Sequence, residues 1–385
     1  MSANATEVET LTRRLVSIPS HEDESAAGEA IESWLRETTD AAVRRDEHGN
    51  VFARRGEGPT SLALVGHHDV VDPDESQRRT VSDRPTADRE RGTDGDGGGD
   101  PATEYRVGKR DGRLYGRGTA DMKGSLAAAM LAFRDAEPAG ELVFASFVGE
   151  EQGGVGARAA ISDGFAPDYA VVGEGSTNYA GDDQTDVVIA HRGRRGSTIA
   201  ARGTAAHASE PDAGANAVYR ACDAVDVVRD LDAPSATVLG QAVEGSLVVT
   251  EIEGGDAWNV VPESCTVTVD ERTVPGERAA LERVESIDGV EWHVEQDLPP
   301  MACEDPAFAE AALAAADSAQ AATPEHVSKP HATDAGWLAD AGTTCVVVGA
   351  SEPGEAHTAD ESVSIEVLER CRRCYLTLAE RWPAE

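Results

Sequence analysis

Four short apolar runs constrain the architecture more than anything else in the chain. They read "SLALVGHHDVV" (residues 61–71), "ELVFASFVGEE" (141–151), "YAVVGEGS" (169–176) and "TTCVVVGAS" (343–351). Each apolar stretch is too short for an ordinary helix and stops at a glycine. Runs that are apolar on both faces suit the buried strands of a parallel sheet. Between them lie segments with helical spacing: "SLAAAMLAFRDA" (125–136), "VGARAAISDG" (155–164), residues 306–320, "DAGWLADAG" (334–342) and residues 363–381. The alternation predicts an α/β domain, a mostly parallel sheet with flanking helices. Residues 7–38 predict a helix pair broken at Ile18-Pro19-Ser20, with Ser20 or Ser25 capping the second helix.

The pattern changes after about residue 180. "DVVIAHRGRRGSTIAARGT" predicts a long strand or hairpin, "GANAVYRACDAVDVVRDL" a helix, and "SLVVTEIEGG" and "CTVTVDERTV" strands of period two. A helix at "GERAALERVESI" and a strand at "VEWHVEQD" complete a β-α-β-β-α-β order, that of a ferredoxin-like α+β domain. The expected organisation is therefore an α/β domain in two parts, residues 1–180 and 298–385, interrupted by an inserted domain at 181–297. Residues 74–107 are almost free of apolar side chains in their first part and rich in Gly, Asp and Arg, and predict a flexible acidic surface insertion.

A chain of 385 residues has room for two domains. Aromatics make up only 4%, so the core must rest on Ala, Val, Leu and Ile. Acidic residues number 71 against 34 basic ones, a net charge of −37, and only Lys109, Lys123 and Lys329 are lysines. Such a surface argues against nucleic acid and against anionic membranes as partners. It resembles the surfaces of salt-adapted proteins, where salt screens self-repulsion. "MSANATEVETLTRRLVSIPS" lacks a signal-peptide core and no run is long enough to span a bilayer, so the expectation is a soluble, cytoplasmic protein. The six cysteines are scattered, and the lone "CRRC" (371–374) falls in a helical pattern with no second pair, which points to free thiols.

Open α/β sheets place ligand sites at the carboxyl ends of their strands. The residues found there are His67, His68 and Asp69, then Glu150 and Glu151, then Glu174. The glycine-rich turn "GRGTADMKG" adds Asp121, and the segment after the last strand adds His357. Any one of these alone is most often a plain surface residue, and aspartate in a glycine-rich bend is a common turn residue. Histidines and carboxylates converging from separate strands form the donor set of a divalent metal. Adjacent Glu150 and Glu151 would repel one another at the end of an apolar strand unless a cation or a proton lay between them.

The motifs "GHHDVV", "GRGTADMKG", "GEEQGG", "GEGS", "HAS" and "EAHTADES", in that order, resemble the co-catalytic zinc amidohydrolases of the aminoacylase and carboxypeptidase G type. That family includes succinyl-diaminopimelate desuccinylase and acetylornithine deacetylase. The resemblance spans nearly the whole chain outside residues 74–107. It implies two divalent metal ions, zinc first, with cobalt or manganese also fitting. His67 and Glu174 would bind one ion, His357 and Glu151 the other, and Asp121 would bridge them. Asp69 would orient His67, and His68 would be a non-ligand. Glu150 would be the general base, activating a metal-bridging water. A cis peptide after the bridging aspartate would be Asp121–Met122.

From the inserted domain, the family's dimerisation or lid domain, the resemblance implies that His207 stabilises the oxyanion across a homodimer. Asn259 would touch substrate and Arg272 would clamp its carboxylate. The plain alternatives are a surface histidine, a turn asparagine and an exposed strand arginine. The expected activity is hydrolysis of an amide bond in an N-acyl amino acid or short peptide. Glutamate at position 174 favours the desuccinylase or deacylase branch, with succinyl-diaminopimelate narrowly ahead of acetylornithine or N-acyl-lysine. A dipeptidase or carboxypeptidase is the alternative.

Overall fold

Strand pairing follows the apolar runs. The protein is described by a computed structural model covering residues 5–80 and 103–383. It divides into two units, one of Met1–Ile189, Cys303–Val327 and Thr333–Glu385, the other of Ala190–Ala302 and Ser328–Ala332. In the first, the sheet runs in the order Ala42–Arg45, Val51–Arg55, Glu141–Phe147, Ser61–His67, Tyr169–Val172, Thr344–Val347, then the strand beginning at Val187. The four strands from Glu141–Phe147 to Thr344–Val347 are mutually parallel, and the outer ones are antiparallel. Ser61–His67 is buried along its whole length, as a central strand covered on both faces must be.

Helix Gly124–Asp135 buries every residue from Gly124 to Phe133. Its alanines allow close approach to helix Ile365–Arg381, and Phe133 meets Phe144 of the sheet at 6.0 Å between ring centroids. The second helix, Ser25–Thr38, is capped by neither expected serine. Ser25 is its first residue, and its N–H donates to Asp23 instead. The insertion's ends are built into the fold: Arg78–Thr80 pairs with Thr103–Tyr105, and Gln77 and Tyr105 are buried. The rest of the expected flexible segment, residues 81–102, lies outside the described residues. Among the described residues no helix is long and apolar enough to cross a membrane.

The second unit holds an antiparallel sheet in the order Ser246–Gly254, Ser264–Arg272, Arg194–Arg202, Val290–Leu298. Helix Ala217–Arg229 packs on it, capped by Asn216. This is the ferredoxin-like strand order with one difference. The expected second helix at 276–287 is only a 3₁₀ turn, Leu281–Ser286. Its approach is taken up by a buried ion pair: Glu271 accepts from the Ala279 N–H at 2.7 Å, and Arg195 donates to the Ala279 carbonyl at 2.7 Å. Backbone groups held that way are not available to start a helix. The unit begins at residue 190 rather than 181 because Val187–Ile189 are still strand, paired to the first sheet through Val188 and Val347.

Candidate metal centre

Parallel strands in register deliver their ends to one edge. His67 lies opposite Phe147, Val65 opposite Val172, and Val172 opposite Val347. The residues that follow therefore emerge side by side. Gly66 and Gly173, each just before a candidate ligand, leave room for Met122, whose methyl group would stand 2.6 Å from a Cβ at either position. Met122 belongs to the turn Thr119–Lys123, so its packing draws Asp121 onto the same edge. The Asp121–Met122 peptide is cis.

Two groups of donors result, and they share one carboxylate. His67 Nε2 lies 3.1 Å from Asp121 Oδ1 and 3.1 Å from Glu174 Oε1. His357 Nε2 lies 3.1 Å from Asp121 Oδ2 and 2.9 Å from Glu151 Oε1. Each oxygen of Asp121 thus faces a different histidine. Donor atoms of each group lie within 4.8 Å of one another, and the same holds for a third grouping of His67, Glu150 and Glu151. Ligands about 2.0–2.1 Å from a tetrahedral ion stand ~3.3 Å apart, so the donor spacing fits zinc or a similar ion. His67 Nδ1 bonds the Asp69 main-chain carbonyl at 3.2 Å and stands 3.2 Å from Asp69 Oδ1, while the two carboxylate oxygens accept from the N–H groups of Glu150 and Glu151, at 3.2 and 3.1 Å. One buried aspartate therefore aims the imidazole and pins the glutamate turn.

The electrostatics are those of a cluster short of positive charge. Burial opposes a charge on His67, but Asp121, Asp69 and Glu174 hold its pKa well above the usual value. Hydrogen bonds to Asp121 and Glu151 lift His357 to about 10. Burial, reinforced by Asp334, Glu174 and Glu151 against the opposing His67, pushes Glu150 well above the carboxylate range. Asp334, 3% exposed, has neither carboxyl oxygen hydrogen-bonded among the described residues, and burial lifts it to about 8. A divalent cation would offset this accumulation of carboxylates.

His68 points away from the donor groups, its Nδ1 2.8 Å from the Ser146 hydroxyl. His207 and Asn259 belong to the second unit and adjoin each other: Ala208 donates its N–H to the Asn259 carbonyl at 2.9 Å. The His207 ring is exposed and held by Ser209 at 2.7 Å. Arg272 lies at the far end of strand Ser264–Arg272, about 27 Å along the strand from the turn that follows Asn259. Its Nε donates to Asp270 at 2.8 Å. Asp334, Arg117 and Glu361 escaped the sequence reading. Only Glu361 had a signal there, its place four residues after His357 in "HTADES".

The family model described as peptidase family M20/M25/M40 matches residues 63–381. An acetylornithine deacetylase of Myxococcus xanthus is 30% identical over 86% of this chain and 83% of its own. A probable succinyl-diaminopimelate desuccinylase of Staphylococcus epidermidis is 28% identical over 60% of this chain and 58% of that one. Among solved structures, the aminopeptidase PepT of Bacillus cereus superposes with a TM-score of 0.73 at 20% identity, over 97% of both chains. A dinuclear metal binding peptidase of Bacillus subtilis gives 0.66 at 16% identity, over 97% of this chain and 96% of that one.

Proposed function

The chain belongs to peptidase family M20/M25/M40 and is a metal-dependent amidohydrolase, and from that premise we propose that it cleaves the amide bond of an N-acyl amino acid. The observation that carries the reading is Asp121 shared between two His-and-carboxylate groups, with the half-buried Glu150 beside them. In this reading His67 and Glu174 hold one ion, His357 and Glu151 hold the other, and Asp121 serves both. Bound there, two such ions, zinc first and cobalt or manganese as substitutes, would supply Lewis-acid chemistry for the scissile carbonyl and for a water.

The chain's own groups do the rest. Burial raises the proton affinity of Glu150, the direction a general base needs, and in this reading it takes the proton from water and passes it on to the leaving amine. Asp69 fixes the tautomer and direction of His67. His207 stabilises the oxyanion, Asn259 touches the substrate, and Arg272 clamps its carboxylate. In support, the two terminal nitrogens of Arg272 have no partner among the described residues, so its fork is open to a carboxylate. A small acyl amino acid is far shorter than the ~27 Å between the Asn259 turn and Arg272. One substrate meets both only if a second copy supplies one of them.

That need, with an exposed sheet edge, supports a homodimer. Strand Ser246–Gly254 is an edge of the second unit's sheet, with Val248 and Ile252 half exposed. A groove of about 840 Å³ beside it is lined by Cys222, Val225, Arg229, Leu247, Val248 and Ile252. An apolar edge strand of this kind is a template for pairing with another copy.

Acetylornithine and succinyl-diaminopimelate are both carried forward as substrates. Coverage of the deacetylase relative favours the first, and the glutamate at position 174 suits either. The test is a panel of these two with a dipeptide and a peptide ending in glutamate, with cobalt or zinc added in concentrated potassium chloride. Release of amine from an acyl amino acid at a kcat/KM at least tenfold above the peptides is expected. Turnover of the peptides alone would replace the deacylase reading with the dipeptidase or carboxypeptidase one.

A further inference from the structure

Behind the donor groups lies a buried ion pair with no part in the chemistry above. Glu361 is 1% exposed and Arg117 is 3% exposed. Arg117 donates to Glu361 Oε2 at 2.6 Å. The other oxygen, Oε1, accepts from the N–H groups of Ala120 at 2.9 Å and Asp121 at 3.2 Å. Arg117 also donates to the carbonyl of Asp72 at 3.3 Å. Backbone bonds reinforce the arrangement, with the Gly116 N–H donating to the Glu361 carbonyl at 3.0 Å.

These contacts join three segments that are distant in sequence. Asp72 lies in the loop that follows His67, Ala120 and Asp121 form the turn of the shared carboxylate, and Glu361 closes the turn that carries His357. A buried ion pair is a poor source of net stability, since desolvation cancels much of its attraction. Its value lies in fixed geometry, which a bidentate carboxylate between a guanidinium and two N–H groups supplies. The two sides of the centre depend on it unequally. His67 ends a buried strand and is further held by Asp69. His357 is half exposed, sits in a left-handed backbone conformation (φ 64°), and belongs to no helix or strand.

We propose that Glu361, with Arg117, is a positioning residue that holds the Asp121 and His357 turns in register, so that the His357–Glu151 side keeps its ion. The inference rests on the two-ion reading of the site. The test titrates metal-free full-length protein with Co²⁺, following heat and the visible absorption of bound cobalt. The wild type binds two ions. Glu361→Ala binds one at wild-type affinity and the other at least tenfold more weakly, and its lost turnover returns with excess Co²⁺. Glu361→Gln, whose amide oxygen still accepts from the Ala120 and Asp121 N–H groups, falls between. A folded Glu361→Ala protein with both affinities unchanged, or both weakened alike, overturns the proposal. If Glu361→Ala does not fold, Glu361→Gln decides it, and two unchanged affinities there overturn it too. A wild type that binds fewer than two ions overturns the two-ion reading itself, and this inference with it.

Discussion

At the scale of single residues, the neighbouring Glu150 and Glu151 have different work. Glu151 is hydrogen-bonded to His357, whereas burial and neighbouring carboxylates dominate Glu150. Glu150→Ala should lower kcat by about 10²–10⁴-fold while the protein keeps its metal, because a general base contributes about that much. Glu151→Ala should lose metal as well. Kinetics beside elemental analysis of the two variants checks this, and equal metal loss in both would reverse the assignment. His68 gives a pH prediction. Burial pushes it down to about 3, so between pH 6.5 and 3 the unfolded chain binds a proton the folded chain refuses. Stability therefore falls as pH falls through that window, by up to about 1.4 kcal/mol per pH unit from this one group. In the chelated protein, His68→Gln should flatten the slope of unfolding free energy against pH by that amount. The strand ends marked most of the candidate donors in sequence. Asp334 and Arg117 were invisible there, because their importance lies in burial and in partners.

At the scale of elements, glycines decide whether the donor-bearing turns close. Gly154 has φ 74°, and a Cβ there would stand 2.5 Å from Trp337 Nε1 and 2.9 Å from Asp334 Oδ1. It sits between Glu151 and helix Val155–Ser162, so strain at this point is transmitted to the glutamate turn. Gly154→Ala should cost about 2–5 kcal/mol, the sum of a left-handed non-glycine residue and an overpacked contact. Urea unfolding measures the cost, and the same variant should bind Co²⁺ more weakly. The strands and long helices were legible because their patterns are local. The helix expected at 276–287 failed for a non-local reason: Arg195 and Glu271, brought in by other strands, engage the Ala279 backbone that would have started it.

For the whole molecule, the net charge of −37 makes folding depend on the solvent. The Debye length shrinks from about 10 Å at 0.1 M salt to about 3 Å at 1 M, which weakens repulsion among surface carboxylates. Between 0.1 and 2 M potassium chloride the thermal midpoint should rise by about 5 °C or more, since a gain of roughly 2 kcal/mol moves a large domain that far. A flat midpoint would remove the salt-adapted reading. Metal should act separately: at a thousandfold excess over Kd, one bound ion adds about 4 kcal/mol, so a chelator should lower the midpoint at every salt concentration.

The sequence by itself determined the alternation of strands and helices, the existence of an inserted α+β domain, and which residue types stand at the strand ends. Those follow from periodicity, glycine placement and composition, all carried by neighbouring residues. Only the tertiary structure decided that the two oxygens of Asp121 face different histidines, that Asp69 serves His67 and both glutamates, and that Glu361 meets Arg117 from 244 positions away. The direction of a carboxylate and the satisfaction of a buried charge depend on partners that no local pattern specifies. Folding supplies those partners by bringing distant turns to one edge of a sheet.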